Sequence, residues 1–480
     1  MNSVRRSLGY SFAESYIVNA LSIASIFVLS RLLTPVEIGV WAIAAVFAAI
    51  ASTFRDFGVG EYLIQEAELS DRKLRAAFGV NIAFSWFTAV ALFFASGWIA
   101  EFYREPGVAS VMRVQAVSFL LIPFGAITFA YFRRNLDYRP FFWSSVGSSV
   151  TTFTVSIACA LAGLGYMSFA WSSLAGVAVT VLVSFAFRPK ALPRLPSLDG
   201  WREVVSLGKH VTGTYLVGQI GKSAPELIIG RVLGAAPVAF FSRANGPSEL
   251  FNRMVLRAAL PVCLPYFARE ARGGQDVREG YLRTVSYITV IGWPFFVFLA
   301  AMAFPAIRIL YGTQWIASVS LAQILCVAAA VEVTYFFAKE LLIGRGDARH
   351  ANLLQALSQA ARVLGLVAVI PFDLAGACWG LLAAAIVGGV CAHRILAARI
   401  GLTLRHVIGA CKASFFVTVI STAPSLAWAA FGPIGEDNFL QVMVVAGSVF
   451  GLMWIGALRC LRHPLWRELG NLRTRGTART

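Results

Sequence analysis

The sequence predicts an all-α protein that crosses a membrane about fourteen times. Of its 480 residues, 58% are hydrophobic and only 14% are charged, and the mean hydropathy is +0.71. A soluble globular chain carries roughly 25% charged residues. Apolar stretches, each long enough to cross the hydrocarbon layer as a helix, recur along the whole chain. This composition argues against a soluble enzyme, a disordered chain and a disulfide scaffold.

The predicted membrane spans follow one another through short connections. They lie near residues 9–31, 37–54, 76–99, 110–132, 141–162, 168–187, 211–233, 238–262, 284–306, 319–343, 352–371, 376–395, 409–431 and 439–458.

The distribution of Lys and Arg predicts the orientation of the chain. With the N-terminus in the cytoplasm, most of the 41 Lys and Arg residues fall in segments on the cytoplasmic side, which is the usual bias of membrane proteins. The bias predicts that both termini are cytoplasmic and that the number of spans is even. It also explains the net charge of +17 without a nucleic-acid partner, and we predict none.

Metal and disulfide chemistry are not indicated. The seven cysteines are scattered, mostly within apolar stretches, and no CxxC or Cys/His ligand spacing occurs. We therefore predict no disulfide, no metal site and no cofactor.

Short similarities between the two halves predict two parallel lobes. At a separation of roughly 200 residues, Ser30-Arg31-Leu32-Leu33 aligns with Gly230-Arg231-Val232-Leu233, and each segment precedes a short turn. An even number of spans separates the copies, so both lobes run in the same direction, which is one of the two repeat designs of secondary transporters. Substrate would then bind between the lobes.

The repeat divides the chain into five predicted regions. They are an N-terminal six-helix lobe at 1–187, a cytoplasmic inter-lobe linker at 188–210, a C-terminal six-helix lobe at 211–396, two additional helices at 397–458 and a basic cytoplasmic tail at 459–480. Within the linker, prolines prevent a continuous helix, and Asp199 is expected to cap a short amphipathic one that lies on the surface.

Charged residues inside the predicted spans identify a candidate site, because a charge at membrane depth usually faces a water-filled cavity or a partner. Lys222 and Glu226 are spaced i,i+4 on one helix face. Glu249, Arg253 and Arg257 follow at successive i+4 steps in the next span and make a charged stripe. A simple intrahelical pair remains the alternative for the first two residues of that stripe.

The candidates divide into two groups by charge. The cations, which we predict to bind a substrate with a diphosphate, are Arg55, Lys222, Arg253, Arg257 and Lys339. The carboxylates, which we predict to couple transport to an ion or a proton, are Glu14, Glu226, Glu249 and Glu332. Because the planar guanidinium group matches phosphate geometry, this set implies an anionic, phosphate-bearing substrate.

Five stretches of the chain carry a recognisable pattern in combination. They are LSRLLTPVEIGVWA (29–42), FRDFGVGEYLIQ (54–65), FYREPGVASVMRVQAVSFLL (102–121), IIGRVLGAAPVAFFSRA (228–244) and LYGTQWIASVSLAQIL (310–325). Together they resemble the polysaccharide transport family, the Wzx-type flippases of the multidrug/oligosaccharidyl-lipid/polysaccharide exporter superfamily. The similarity is closest to the branch that serves exopolysaccharide or colanic-acid-like polymers.

The resemblance implies a MATE-like fold of fourteen helices, with two six-helix lobes and two added C-terminal helices. It also implies that the protein carries an undecaprenyl-diphosphate-linked oligosaccharide across the bacterial inner membrane by alternating access. A central cationic cavity carries over from the family and is best matched by Arg55, Lys222, Arg253 and Arg257. The implied partners are the lipid-linked glycan, the bilayer, and polysaccharide polymerase or export proteins.

Three other functions compete with this one. A lipid II flippase is the nearest alternative, because only the Wzx-like stretches argue against it. A MATE-like small-molecule antiporter for cationic drugs would prefer an anionic cavity, and the arginine stripe argues against that. A membrane enzyme would need a long outer loop or His and carboxylate pairs at one interface, whereas the five His residues lie on or near the cytoplasmic side. We therefore predict a transporter and not an enzyme.

Overall fold

The computed structural model describes residues 2–66, 70–135, 137–190, 192–193, 195–274, 276–370, 372–466 and 468. Within these ranges every regular element is a helix. The contacts divide the chain into two compact units, with the boundary between Ala239 and Phe240. The predicted basic tail at 459–480 lies mostly outside the described residues.

In the described part of the chain, the first unit contains nine whole helices and the first half of α10. They are α1 (Asn2–Leu32), α2 (Pro35–Asp56), α3 (Val59–Gln65), α4 (Asp71–Tyr103), α5 (Pro106–Leu121), α6 (Pro123–Arg134), α7 (Arg139–Leu161), α8 (Met167–Ala186), α9 (Trp201–Leu233) and α10 (Ala235–Ala244). α2 packs against α4, α5 and α9, and α7 packs against α1 and α8. A capping box of Thr34 and Glu37 starts α2, so that helix begins at a defined residue.

The inter-lobe linker differs from the sequence expectation. Gly200, with φ +87°, precedes the first residue of α9, and the helix then continues to Leu233 instead of ending as a short surface element. Asp199 does not cap it, because its carboxylate accepts a hydrogen bond from Arg72 at 2.8 Å. The Ser197 amide also donates to the Arg75 carbonyl. The linker is therefore packed on α4, and its predicted second half is the first part of a long helix.

The second unit contains ten further α-helices in the described part of the chain. They are α11 (Gly246–Phe251), α12 (Arg257–Arg272), α13 (Val277–Ala301), α14 (Ala303–Leu310), α15 (Ser318–Val333), α16 (Ala338–Gly344), α17 (Ala348–Val369), α18 (Leu374–Ile400), α19 (Leu404–Phe431) and α20 (Phe439–Cys460). α13 is central, with α15 and α19 packed against it, and α17 pairs with α18. Buried aromatic and aliphatic side chains from α12, α13, α15, α16 and α18 form the main core.

Eleven helical segments in the described ranges are long and apolar enough to cross a membrane, and one of them, Ser318–Gly344, contains both α15 and α16. A twelfth is reached if α5 and α6, which meet at an angle of 55°, count as one broken span. The regions predicted as spans near 211–233 and 238–262 are also helical but are not among these segments, and the second is divided among α10, α11, a π-helical turn and α12. The number of spans identified in this way, eleven or twelve, is therefore below the predicted fourteen.

A buried histidine attaches the segment after α20 to the second unit. His463 is fully buried, and its Nε2 atom lies 3.1 Å from the Ser286 hydroxyl of α13 and 3.4 Å from the Ser414 hydroxyl of α19. The Leu465 amide donates to Nδ1 at 3.2 Å. Because Nδ1 accepts this hydrogen bond, the neutral ring carries its proton on Nε2.

Acidification is expected to loosen this attachment. Burial lowers the pKa of His463 below its ordinary value of 6.5, so the unfolded chain takes up a proton before the folded chain does. The stability that the neutral ring contributes is therefore complete above about pH 6.5 and is lost as the pH drops below that value. We expect the Tm of the purified protein to fall more steeply between pH 7 and pH 5.5 than that of H463N. Equal slopes for the two proteins would contradict this assignment.

Candidate functional site

A polar cavity of about 300 Å³ lies within the second unit and is walled by α15, α16, α17 and α18. We call it the α15–α18 cavity. Its lining residues are Glu332, Tyr335, Phe336, Lys339, Glu340, Leu354, Gln355, Ser358, Gln359, Arg362 and Ala384. Two predicted site residues, Glu332 and Lys339, thus line the same cavity.

A break between two helices shapes one wall of this cavity. α15 ends at Val333 and α16 begins at Ala338, so a turn at residues 334–337 lies inside the predicted span near 319–343. The Thr334 hydroxyl donates to the Val331 carbonyl at 2.8 Å and satisfies part of the backbone exposed there. Irregular backbone at membrane depth is tolerated where it lines a cavity.

The opposite wall is the polar face of α17. Gln355, Ser358, Gln359 and Arg362 follow one another at helical spacings of i, i+3, i+4 and i+7, so they share one face of α17. All four line the cavity. Their amides, hydroxyl and guanidinium can donate hydrogen bonds, and the amide and hydroxyl oxygens can also accept them.

An ion pair joins the two walls. Arg362 Nη2 lies 3.0 Å from Glu332 Oε1, and each side chain is 36% exposed. Lys339 and Glu340 line the same cavity, so its two cations face two carboxylates. A charge-balanced cavity with amides and aromatic rings suits a hydroxyl-rich group better than a bare anion.

The predicted site residues of the first unit have different environments. Arg55, in the last turn of α2, donates to the carboxylate of Asp56 at 2.9 Å and lies 5.3 Å from the ring of Phe119. Its side chain is only 12% exposed, so the charge is largely neutralised by its neighbour. Glu14 is half-buried on α1.

Lys222 and Glu226 both lie on α9 but differ in burial. The Lys222 side chain is exposed, whereas Glu226 is half-buried. The i,i+4 spacing predicts that both side chains lie on one helix face. Lys222 is nevertheless accessible to solvent or lipid, whereas the Glu226 carboxylate is more protected.

The predicted charged stripe crosses an irregular turn. Asn252–Leu256 is a π-helical turn between α11 and α12, and it contains Arg253. A π-turn has more residues per turn than an α-helix, so i+4 steps no longer stay on one face across it. Arg253 and Arg257 are exposed, while Glu249 is half-buried. The regular stripe expected from the sequence is thus interrupted.

The site residues fall in both units. Arg55 and Lys222 lie in the first unit, and Arg253, Arg257 and Lys339 lie in the second. A single cationic cavity formed by all five remains a prediction. Among the described residues, no group of three or more His, Cys, Asp or Glu is placed to hold a metal ion.

Sequence reasoning did not assign a site role to Arg362 or to the polar face of α17. The sequence does contain a pattern that indicates this polar face, because four polar residues recur at helical spacing in an otherwise apolar span. A lone charge such as Arg362 is more often structural than functional when only its own span is considered. Its pairing with Glu332 depends on the contact between α17 and the end of α15, which one sequence does not specify.

Many apolar helices and a charged cavity among them define a multi-pass membrane transporter. The chain belongs to the polysaccharide biosynthesis protein family, whose profile matches residues 28–320. This family and the relatives described next confirm the resemblance to Wzx-type flippases inferred from the sequence. The family and its structural neighbours are transporters and not enzymes.

Three curated relatives have related sequences. The chain is 22% identical to the teichuronic acid biosynthesis protein TuaB of Bacillus subtilis over 69% of each chain. It is 22% identical to the lipopolysaccharide biosynthesis protein WzxC of Escherichia coli, over 66% of this chain and 65% of the relative. It is 24% identical to the succinoglycan biosynthesis transport protein ExoT of Rhizobium meliloti, over 65% of this chain and 63% of the relative. The matches thus span about two thirds of each relative.

Solved structures confirm the fold class. The lipid II flippase MurJ in an inward closed conformation superimposes with a TM-score of 0.73 at 12% identity, covering 95% of this chain and 99% of MurJ. An inward-facing multidrug MATE transporter gives a TM-score of 0.58 at 17% identity, covering 82% of this chain and 94% of the transporter. The predicted MATE-like architecture is therefore confirmed as a fold.

Proposed function

We propose that this protein moves undecaprenyl-diphosphate-linked oligosaccharide repeat units across the bacterial inner membrane for exopolysaccharide, O-antigen or capsule synthesis. The observation that carries the proposal is a polar, charge-balanced cavity among apolar helices, in a chain whose family acts in polysaccharide biosynthesis. The names of TuaB, WzxC and ExoT connect similar chains with three different polymers.

The chemistry of the substrate suggests a division of labour. Sugar hydroxyls would hydrogen-bond to the amides and charged groups of the α15–α18 cavity. The diphosphate would be received by the exposed guanidinium groups of Arg253 and Arg257, with Arg55, Lys222 and Lys339 as further cations. The polyprenyl chain would stay in the lipid, because burying its hydrocarbon in a polar cavity offers no gain.

Transport would follow alternating access. Both termini would lie in the cytoplasm, and the two predicted lobes would open first towards the inner leaflet and then towards the outer one. Polysaccharide polymerase and export proteins would receive the translocated unit on the outer side.

Coupling to an ion or a proton is assigned first to the Glu332–Arg362 pair. Binding of a proton or another cation to Glu332 would weaken its ion pair with Arg362. Glu14, Glu226 and Glu249, all half-buried, are the other candidate coupling residues.

Lipid II transport is the second candidate, because the superposition on MurJ covers nearly the whole of both chains. Both substrates carry a polyprenyl diphosphate, so the cations do not discriminate between them. The glycan does, and a host depleted of its lipid II flippase would be rescued only by a protein that accepts the peptidoglycan precursor.

Depletion of the protein in its host tests the proposal. We expect complete lipid-linked repeat units to accumulate in the cytoplasmic leaflet and extracellular polymer to disappear, while peptidoglycan synthesis continues. Leaflet position is measured by the accessibility of the glycan to an external glycosidase in right-side-out and inverted vesicles. Normal polymer without lipid-linked accumulation would refute the proposal, and rescue of a lipid II flippase depletion would favour the second candidate.

A further inference from the structure

We propose that Arg243, together with Tyr311 and Trp315, forms a binding site for a phosphate-type oxyanion. The site lies in the second unit but shares no residue with the α15–α18 cavity. The identification of its natural ligand rests on the proposed function, whereas the existence of the site can be tested without it.

Two aromatic rings hold the guanidinium group of Arg243. Its central carbon lies 5.4 Å from the ring centre of Tyr311 and 5.1 Å from that of Trp315. The two rings meet at 66° with their centres 6.4 Å apart. Trp315 is fully buried and Tyr311 is 7% exposed. The guanidinium group is thus placed by two rigid side chains, which limits the orientations it can adopt.

Neighbouring contacts fix these rings relative to α10. The Ser318 hydroxyl, at the start of α15, donates to the Phe240 carbonyl of α10 at 3.0 Å. The ring of Phe240 also packs edge-on against Trp315, with centres 5.7 Å apart. The helix that carries Arg243 and the turn that carries the rings are therefore joined independently of the guanidinium group.

The charge of Arg243 has no counterion in the part of the chain that the structure describes. Its Nε atom is buried without a hydrogen-bond partner, and no carboxylate there lies within 4.0 Å of the guanidinium nitrogens. Arg308, on the adjacent α14, shows the usual arrangement, since it pairs with Glu436 at 3.3 Å. Ring faces offset only part of the cost of burying a cation, so an anionic ligand would complete the site.

The geometry favours an oxyanion. A guanidinium group offers a planar fork of donors that matches two oxygens of a phosphate, and the flanking rings preorganise that fork. A chloride ion could not use the fork in this way.

Two sources offer this chemistry, the diphosphate of a polyprenyl-linked glycan and the phosphate of a phospholipid headgroup. The predicted topology places Arg243 towards the outer end of its span. A diphosphate bound to Arg243 would lie at the outer end of the transport path, from which it is released. It would reach this position after it dissociates from the cations near the cytoplasmic side.

Calorimetric titration of the purified full-length protein in phospholipid-free detergent tests the site. The probe is inorganic pyrophosphate, and R243Q is expected to raise its Kd about tenfold or more because the fork is lost. R243K keeps the charge without the fork, so it should fold and bind at an intermediate strength. R231Q is the matched control, because Arg231 also lies over a ring, that of Phe102 at 4.7 Å, but is exposed.

The outcomes separate the ligand sources. If the protein binds pyrophosphate, and phosphatidylglycerol in mixed micelles does not weaken that binding, the ligand is identified as the substrate diphosphate. Binding of phosphatidylglycerol alone, again lost in R243Q, would identify a headgroup site. No binding of either probe to the wild-type protein, or equal Kd values for wild type, R243Q and R243K, would overturn the proposal. Because this assay contains no glycan, its result is independent of the depletion experiment.

Discussion

Reversing the charge of Arg362 is expected to reduce polymer export about tenfold or more. The R362E substitution would place three carboxylates around the α15–α18 cavity, because Glu332 and Glu340 are already there. Like charges at this distance repel, and the half-buried setting screens them less than bulk water would. The double variant E332R/R362E restores an ion pair with reversed direction and is expected to recover a substantial part of the export.

Export is measured as extracellular polymer in a deletion strain that expresses each variant at a matched membrane level. R349E is the control, because Arg349 lies on the same helix but is exposed and outside the cavity. If the double variant exports no better than the worse single variant, the pair itself is not what the cavity requires. Loss of export in R349E alone would point to topology and not to the cavity.

Adding one methyl group at Gly380 is expected to destabilise the second unit by roughly 2 kcal/mol. Gly380 of α18 and Gly365 of α17 let the two backbones approach closely, and a Cβ at Gly380 would lie 2.2 Å from the Gly365 carbonyl oxygen. A backbone oxygen cannot rotate away as a side chain can, so G380A would force the helices apart. We expect a lower Tm for the purified variant and less protein in the membrane.

The control variant G451A is not expected to lower the Tm. Gly451 of α20 has open space where a Cβ would project, because nothing beyond its own stretch of helix lies within 4 Å of that position. Alanine is a better helix former than glycine by about 0.5–1 kcal/mol, so G451A is expected to leave the Tm unchanged or raise it. Shifts of the same sign and size in G380A and G451A would show that helix propensity, and not close packing, determines both results.

The sequence by itself determined the fold class and the placement of most helices. Hydrophobic stretches of membrane-spanning length form helices wherever they occur, because unpaired backbone groups are too costly in lipid. The region near 319–343 marks the limit of this reasoning. Its hydropathy predicts one span, and Ser318–Gly344 is indeed one segment long and apolar enough to cross a membrane, but a turn at residues 334–337 divides it into α15 and α16. A hydropathy average does not register this turn, of which Tyr335 and Phe336 line the α15–α18 cavity.

The candidate site was predicted only in part. Glu332 and Lys339 were identified because charges at membrane depth are costly, and that argument needs only the sequence. The partner of Glu332 could not be found in this way, since Arg362 lies on another helix and the pair depends on how α17 packs against the end of α15. Similarly, the π-turn at Asn252–Leu256 interrupts the regular i+4 spacing from which the stripe with Arg253 and Arg257 was predicted.

Asp199 illustrates the same division at the level of one residue. Its position before a helix predicts an N-cap, which is a local property of the sequence. In the structure its carboxylate pairs with Arg72 of α4, and Gly200 precedes the helix instead. Local preferences and hydrophobic length are encoded in neighbouring residues, so the sequence determines the helices and the membrane class. Charge pairs and helix breaks depend on contacts between distant residues, and only the tertiary structure decides them.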